Sequence, residues 1–326
     1  MQRRQLMTLA AAASAAAYLP ARAQTASAAS WPSKPIRLLV GFPGGSTPDM
    51  SARAIAEPLA QALGQPVVVD NKPGASGNIA ADAVAKATDD HTLGVVINGN
   101  LTSSKTLYPK LPYDPARDFS YLSLLTTAPL ILVAPPGLPS GAAFFEEARR
   151  QGDKWNYGSV GAGSVGHLGT ELLKDRVPGL QAVHIPYNGN PAVVTALLGG
   201  QIQMALIPPG VAMPQIKAGK LQAIGLTTSG RSALVPELAP LSQEGVKDFN
   251  LEVWTALLGP ASLSATARNR ISAALGPIMK SPEVRQRMFQ QGWQAVGTSP
   301  EGLAQRVRQE TALLNGIIKS RGIKLQ

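Results

Sequence analysis

Hydrophobic and polar positions fall into an order that occurs twice along the chain. Ile36-Arg37-Leu38-Leu39-Val40 is a short apolar run that predicts a buried strand. It runs into the turn-rich stretch Gly41-Phe42-Pro43-Gly44-Gly45-Ser46-Thr47-Pro48-Asp49. Ala52, Ile55, Ala56, Leu59 and Leu63 then recur at helical spacing, with Asp49 in the place of an N-cap and Pro58 as an internal residue able to kink the helix. Pro66–Val69 predicts the next strand, completing a βαβ unit. About 120 residues later the order returns: Trp155–Val160 reads as a strand, Gly161–Gly166 as the loop, His167–Lys174 as a helix and Gln181–Tyr187 as a strand. Two such units predict two α/β domains of similar plan, each with a parallel sheet.

Two longer apolar segments, Leu122–Pro136 (LSLLTTAPLILVAPP) and Leu251–Pro260 (LEVWTALLGP), read as strands that carry the chain from one domain to the other and back. Helical patterns follow at Ser264–Lys280, Pro282–Gly292 and Pro300–Ser320, expected to pack back onto the first domain. The expected organisation is a first domain of residues 31–127 and 255–326, a second of 128–254, and a two-strand hinge that permits closure on a ligand.

The first 23 residues lie outside this pattern. Arg3-Arg4, the apolar run Leu6–Leu19 and Ala21-Arg22-Ala23 have the form of a secretory signal peptide cleaved near Ala23, with an apolar run too short to span a membrane. The paired arginines fit a twin-arginine signal as well as an ordinary one. Export places the mature protein in the periplasm. The whole chain carries +10, and loss of Arg3, Arg4 and Arg22 leaves the mature chain near +7. Its basic residues are scattered rather than clustered and aromatics make up only 5%, which argues against nucleic acid as a partner and leaves a mild field that attracts small anions. There is no cysteine, and a mature chain of this size has core enough to do without disulfides.

Tyr157–Leu168 (YGSVGAGSVGHL) resembles two catalytic motifs. Gly161-x-Gly163-x-x-Gly166 follows a strand and opens a helix, as a dinucleotide-binding turn does, but no acid lies between Gly179 and Asn190 to hold a ribose. Ala162-x-Ser164-x-Gly166 approaches a nucleophile elbow. The chain has three histidines, however, His91, His167 and His184, and none follows at the distance that such a triad needs. Metal-ligand spacings and a phosphate-loop lysine are absent from the sequence, so neither a metal nor another cofactor is expected. What remains is a pair of small, hydroxyl-bearing loops, each before a helix start. One carries Gly44, Gly45, Ser46 and Thr47; the other carries Ser159, Gly161, Gly163 and Ser164. A helix N-terminus offers free N–H groups and partial positive charge, so two of them across a hinge make a clamp for an anion, carboxylate or phosphate. The plainer reading, glycines that only permit tight turns, accounts for one loop better than for two.

The same residues resemble a known family. Trp31-Pro32-Ser33-Lys34-Pro35-Ile36-Arg37, VGFPGGS (Val40–Ser46), LGQPVVVDNKPGASGNIAADAVAKA (Leu63–Ala87), LYPKLPYDPARDF (Leu107–Phe119), VHIPYNG (Val183–Gly189), LLGGQIQ (Leu197–Gln203) and IKAGKLQAIGLT (Ile216–Thr227) are similar to the Bug/TctC extracytoplasmic solute receptors of tripartite tricarboxylate transporters. The resemblance covers essentially the whole mature chain. It implies a two-domain periplasmic-binding-protein type II fold, no catalysis, a small carboxylate ligand, integral membrane transporter subunits as partners, and a monomer. Carried over residue by residue, it places Phe42, Gly44, Gly45, Ser46, Thr47 and Asp49 in the first loop of the site, with Asn98, Asn100 and Thr102 beside them. Ser159, Gly161, Gly163, Ser164 and His167 form the second loop, and Ile207 and Pro208 lie opposite. A ligand sensor for a membrane signalling partner and a hydrolase using Ser164 are the rival readings.

The sequence departs from the family pattern in three places. The glycine pair Gly44-Gly45 comes one position early, with Pro48 before Asp49. Ala162, Val165 and Gly166 stand where polar residues are usual. In MALIPPG (Met204–Gly210), Ile207 stands where many members carry an acid able to receive a ligand ammonium. The expected ligand therefore has no positive amino group and presents an apolar body near Ile207 and Pro208.

Overall fold

The computed structural model describes residues 31–324, so the expected signal peptide lies outside the described residues. The chain opens with β1 (Ile36–Val40), α1 (Thr47–Leu63), β2 (Val67–Asn71), α2 (Asn78–Ala85) and β3 (Thr92–Ile97), followed by the short turns α3 (Asn98–Leu101) and α4 (Ser104–Leu107). β4 (Phe119–Pro129) leads directly into β5 (Ile131–Ala134). Then come α5 (Ala142–Gln151), β6 (Asn156–Ser159), α6 (Val165–Arg176), β7 (Val183–Pro186), α7 (Asn190–Leu198), β8 (Met204–Ile207), α8 (Pro209–Lys217) and β9 (Gln222–Leu226). The chain returns through β10 (Glu252–Pro260) to α9 (Ala265–Lys280), α10 (Pro282–Gln290), β11 (Gln294–Ala295) and α11 (Pro300–Ser320).

These strands build two sheets on one plan. The six-stranded sheet runs β11-β4-β10-β3-β1-β2 and the five-stranded sheet β7-β6-β8-β5-β9. In each, three strands pair in parallel (β2-β1-β3 and β7-β6-β8) and the next is antiparallel (β10 and β5). The sheets are thus mixed rather than parallel as the βαβ order predicts. The antiparallel strand of each is the one on which the chain arrives from the other sheet, so its direction is fixed by the crossing and not by a βαβ connection. The chain crosses at Leu130, between β4 and β5, and again between β9 and β10.

The cores follow from the pattern. Leu38 and Val40 of β1 and Leu93 and Val95 of β3 are fully buried, as are Ala52, Ile55 and Leu59 on the inner face of α1. The C-terminal helices pack on the six-stranded sheet, where Trp254 of β10 donates from Nε1 to Glu310 of α11 at 2.6 Å. Helix α1 starts at Thr47, three residues ahead of the position expected from Asp49, and Ser46 occupies the cap position. Asp49 instead accepts the Gly45 N–H at 2.8 Å from inside the first turn. An acid in the first turn bonded back to an N–H ahead of the helix ties the loop to the helix start much as a capping-box acid does, which is why it resembles a cap in sequence. Pro58 is accommodated inside α1.

One close approach holds the first loop. A Cβ on Gly41 would lie 2.4 Å from the Cα of Gly77, and one on Gly77 would lie 2.7 Å from the Phe42 ring. β1 can therefore deliver Phe42 to the end of the sheet only while residue 41 has no side chain. The variant Gly41→Ala should lower the unfolding free energy by about 1–3 kcal/mol through overpacking, read as a lower urea midpoint; an unchanged midpoint would show that the contact is dispensable.

Candidate functional site

In a sheet whose order reverses between neighbouring parallel strands, ligands bind off the carboxyl ends of those strands. The reversal falls between β1 and β3 in one sheet and between β6 and β8 in the other. Residues at these ends, Phe42, Ile97, Val160 and Pro208, line one small cavity of ≈ 40 Å³ between the sheets. Three helices bring N–H-bearing first-turn residues to it: Ser46 and Thr47 of α1, Ser164–Gly166 of α6, and Gly189–Asn190 of α7 are all in its wall. Their first-turn N–H groups have no carbonyl to bond within the helix, and each terminus adds about half a positive charge. Ser46 is 2% exposed and its Oγ has no hydrogen-bond partner among the described residues.

The predicted first loop splits in two. Phe42, Ser46 and Thr47 line the cavity, and Thr47 Oγ1 also accepts from Asn190 Nδ2 at 3.4 Å. Gly44 and Gly45 are exposed, and the Gly45 N–H is already given to Asp49. Asp49 is buried and receives Arg53 Nε at 2.9 Å and Asn71 Nδ2 at 3.0 Å. Burial pushes its carboxyl up, but the Arg53, Gly45 and Asn71 hydrogen bonds outweigh this and hold it below the usual carboxylate range. It is a brace for the loop and is not in the cavity wall. Asn98, Asn100 and Thr102 are likewise not brought to the cavity. Asn98 Nδ2 donates to Glu310 at 2.5 Å, Asn100 Nδ2 to Asn78 at 2.9 Å and Thr102 Oγ1 to the Asn98 carbonyl at 2.7 Å.

Of the second loop, Ser164 lines the cavity and caps α6, its Oγ donating to the Gly161 carbonyl at 2.7 Å and accepting from the His167 N–H at 3.3 Å. Ser159, Gly161, Gly163 and His167 shape that loop from behind. Gly161 has φ +123°, and a Cβ there would sit 2.2 Å from Ser76 Oγ, on the opposing sheet's side. Ser103 Oγ donates to the Gly163 carbonyl at 2.6 Å, and Ser76 Oγ and Tyr108 OH reach the Ala162 carbonyl at 3.2 and 3.3 Å. Pro208 is in the cavity wall, whereas Ile207 is buried in the core of the five-stranded sheet, paired with Ile131. Sequence reasoning missed Gly189–Asn190, although Gly-Asn-Pro after a strand is a readable helix start. Leu130, Leu206 and Val253, also in the wall, carry no sequence signal of that kind.

The model for the tripartite tricarboxylate transporter family receptor matches residues 51–323. The chain belongs to the TctC family. Among curated relatives, a UPF0065 protein from the TAR-I ttuE-ttuC' intergenic region of Agrobacterium vitis is 32% identical over 90% of this chain and 86% of its own. Protein BugT of Bordetella pertussis is 30% identical over 92% of this chain and 93% of its own. Among solved structures, R. palustris Rpa4515 with adipate superposes with a TM-score of 0.86 at 29% identity, covering 90% of this chain and all (100%) of that one. MatC of Rhodopseudomonas palustris with bound malate gives 0.82 at 29% identity, over 88% of this chain and 100% of its own. The periplasmic binding protein BugD gives 0.84 at 26%, over 90% and 100%. The fold is thus that of a periplasmic binding protein. No helix among the described residues is long and apolar enough to cross a membrane.

Behind the second loop of this TctC member lies a buried aromatic and ionic stack. The His167 and His184 rings are parallel with centroids 3.9 Å apart, and Tyr157 stacks on His184 at 5.0 Å. His167 Nδ1 accepts the Gly163 N–H at 3.0 Å, so the neutral ring carries its proton on Nε2. His184 Nε2 lies 2.7 Å from Ser159 Oγ. Tyr157 OH donates to Glu171 at 2.6 Å, and Lys174 and Arg321 add ion pairs to the same carboxylate at 2.9 and 3.3 Å. Burial raises the Glu171 carboxyl, and the Tyr157 and Lys174 bonds more than cancel it and hold it low. Burial, opposed by Glu171 and helped by Lys174, pushes His167 down to about 4; burial and then His167 push His184 down to about 3.

Both histidines are therefore neutral in the folded state at pH 7, and protonating His167 removes the acceptor for Gly163. A folded pKa below the ordinary one means stability complete above about 6.5 and lost as pH falls through about 4. In His167→Asn, Oδ1 can take the place of Nδ1 without titrating. Its urea-unfolding free energy should fall less between pH 7 and pH 4 than that of the parent chain, by up to about 3 kcal/mol; parallel pH profiles would contradict this role.

Proposed function

We propose that this chain is an exported solute-binding receptor that holds a small carboxylate between its two sheets and delivers it to the membrane subunits of a tripartite tricarboxylate-type transporter. The observation that carries this reading is the meeting of three helix N-termini and one unpartnered buried hydroxyl, Ser46 Oγ, on a single cavity. A carboxylate there would accept from the Ser46 hydroxyl and from first-turn N–H groups such as those of Thr47, Val165 and Gly166. It would also meet the positive ends of the helix dipoles. The adipate and malate held by relatives of the same fold support the choice of carboxylate over other anions.

In this reading, residues 1–23 direct export to the periplasm, where the protein works as a monomer. The first domain (31–127 and 255–326) and the second (128–254) close about the connecting strands. Binding rather than catalysis is supported by the Ser164 hydroxyl, whose hydrogen bonds go to the Gly161 carbonyl and the His167 N–H and not to an imidazole.

Ser46→Ala tests the site with little risk to the fold, because the hydroxyl it removes bonds nothing among the described residues. Its thermal midpoint should equal or exceed that of the parent. Its affinity for hexanoate or adipate, whichever the parent binds in calorimetry, should drop by about 10–100-fold, the worth of one hydrogen bond to a charged group. In a deletion strain the variant should fail to restore uptake of that acid. Full affinity in the variant would remove Ser46 from the site; uptake that survives deletion while gene induction is lost would favour the sensor reading.

A further inference from the structure

Resting on the carboxylate reading, we propose that the site selects acids with a single carboxylate and an apolar body, and rejects dicarboxylates and amino acids. No residue that lines the cavity is Lys, Arg, His, Asp or Glu. The positive potential at the site comes from backbone dipoles, and the hydroxyls able to complete it are Ser46 Oγ, buried and unpartnered, and Thr47 Oγ1, which accepts from Asn190 Nδ2. All of these donors lie at the helix starts.

The rest of the wall offers a second charged group nothing. It is formed by Ile97, Leu130, Val160, Leu206, Pro208 and Val253. Helix α8 also begins on this wall, at Pro208, but no N–H-bearing residue of its first turn is in the wall. Pro208 and Pro209 have no N–H, and the N–H groups of Val211 and Ala212 both bond the Pro208 carbonyl, each at 3.0 Å. Gly210 is packed against Gln291, whose carbonyl oxygen lies 1.8 Å from where a Gly210 Cβ would be. The Leu130 N–H is bonded to Thr227 Oγ1 at 2.8 Å. A second carboxylate would therefore lose its water against leucine, valine and proline without recovering hydrogen bonds, and a carboxylate buried that way is strongly disfavoured. An ammonium group meets the same wall and no acid: Asp49, the carboxylate of the first loop, is committed to Gly45, Arg53 and Asn71. The rejection is directed at acids of the kind held by the adipate- and malate-bound relatives.

Calorimetry on the full mature chain at pH 7, with acids matched in carbon skeleton, reads this selection directly. The pairs are butanoate against succinate, hexanoate against adipate, and 4-methylbenzoate against terephthalate, so that carbon number cancels within each. Wherever a pair binds, the monocarboxylate is expected to bind at least about tenfold more tightly. Equal or tighter binding of the dicarboxylate overturns the inference and leaves the carboxylate reading standing. Failure of every acid to bind at millimolar concentration overturns both. Mass spectrometry of the compound released on denaturing the freshly purified protein gives an independent answer. A monocarboxylic acid without an amino group supports the inference, a di- or tricarboxylic acid or an amino acid overturns it, and a compound with no carboxyl group overturns the carboxylate reading as well.

Discussion

The first N–H groups of a helix have no partner in the helix itself, and this fold aims three such termini at one small, otherwise apolar cavity. The rest of the architecture serves that arrangement. Each sheet places a glycine-containing loop at the carboxyl end of a parallel strand and starts a helix from it, so that the peptide dipoles run outward from the same point. The crossings at Leu130 and between β9 and β10 bring the two points face to face. Leu130 and Val253, which stand at the crossings, become part of the cavity wall.

Holding the two halves in register falls to contacts made away from the cavity. Ser103, Ser76 and Tyr108 from one side bond the carbonyls of Ala162 and Gly163 on the other. Farther back, Arg321 at the end of α11 reaches Glu171 and Asp175 on α6. These bonds use carbonyls and carboxylates rather than the helix-start N–H groups, so the donors at the cavity stay free while the loop that presents them is fixed. The stacked His167 and His184 complete the support from behind, and neutrality of the pair is what lets His167 act as an acceptor for Gly163. Polar residues near the site thus divide into those that point donors inward and those that hold the loops still, and Asp49, Asn98 and Asn100 belong to the second kind.

The architecture was largely legible in the sequence, because it depends on periodicity that survives without knowledge of contacts. The runs Ile36–Val40 and Trp155–Val160, each before a glycine loop and a helix, were enough to give two α/β halves. The mixed character of the sheets was not legible from the βαβ order, since a strand's direction beside a neighbour from across the chain depends on the crossing. Of the residues expected at the site, Phe42, Ser46, Thr47, Ser164 and Pro208 line the cavity, and all of them sit at strand ends or helix starts. Gly44 and Gly45 were drawn in by the same loop pattern, yet they stand exposed on the turn ahead of Ser46. Asn98, Asn100 and Thr102 look like ligand contacts in sequence. Only the partners Glu310 and Asn78, 212 and 22 residues away, show that their side chains are already engaged. The apolar wall of Leu130, Leu206 and Val253 is set by strand pairing and had no pattern to announce it.

The most direct test of the central claim is a structure of the protein with its acid bound. The carboxylate oxygens are expected within about 3 Å of Ser46 Oγ and of first-turn N–H groups of α1 and α6, with the carbon skeleton against Leu130, Leu206 and Val253. A ligand anchored instead on charged side chains, for example in the open groove that contains Lys105, Arg117 and Arg268, would contradict it.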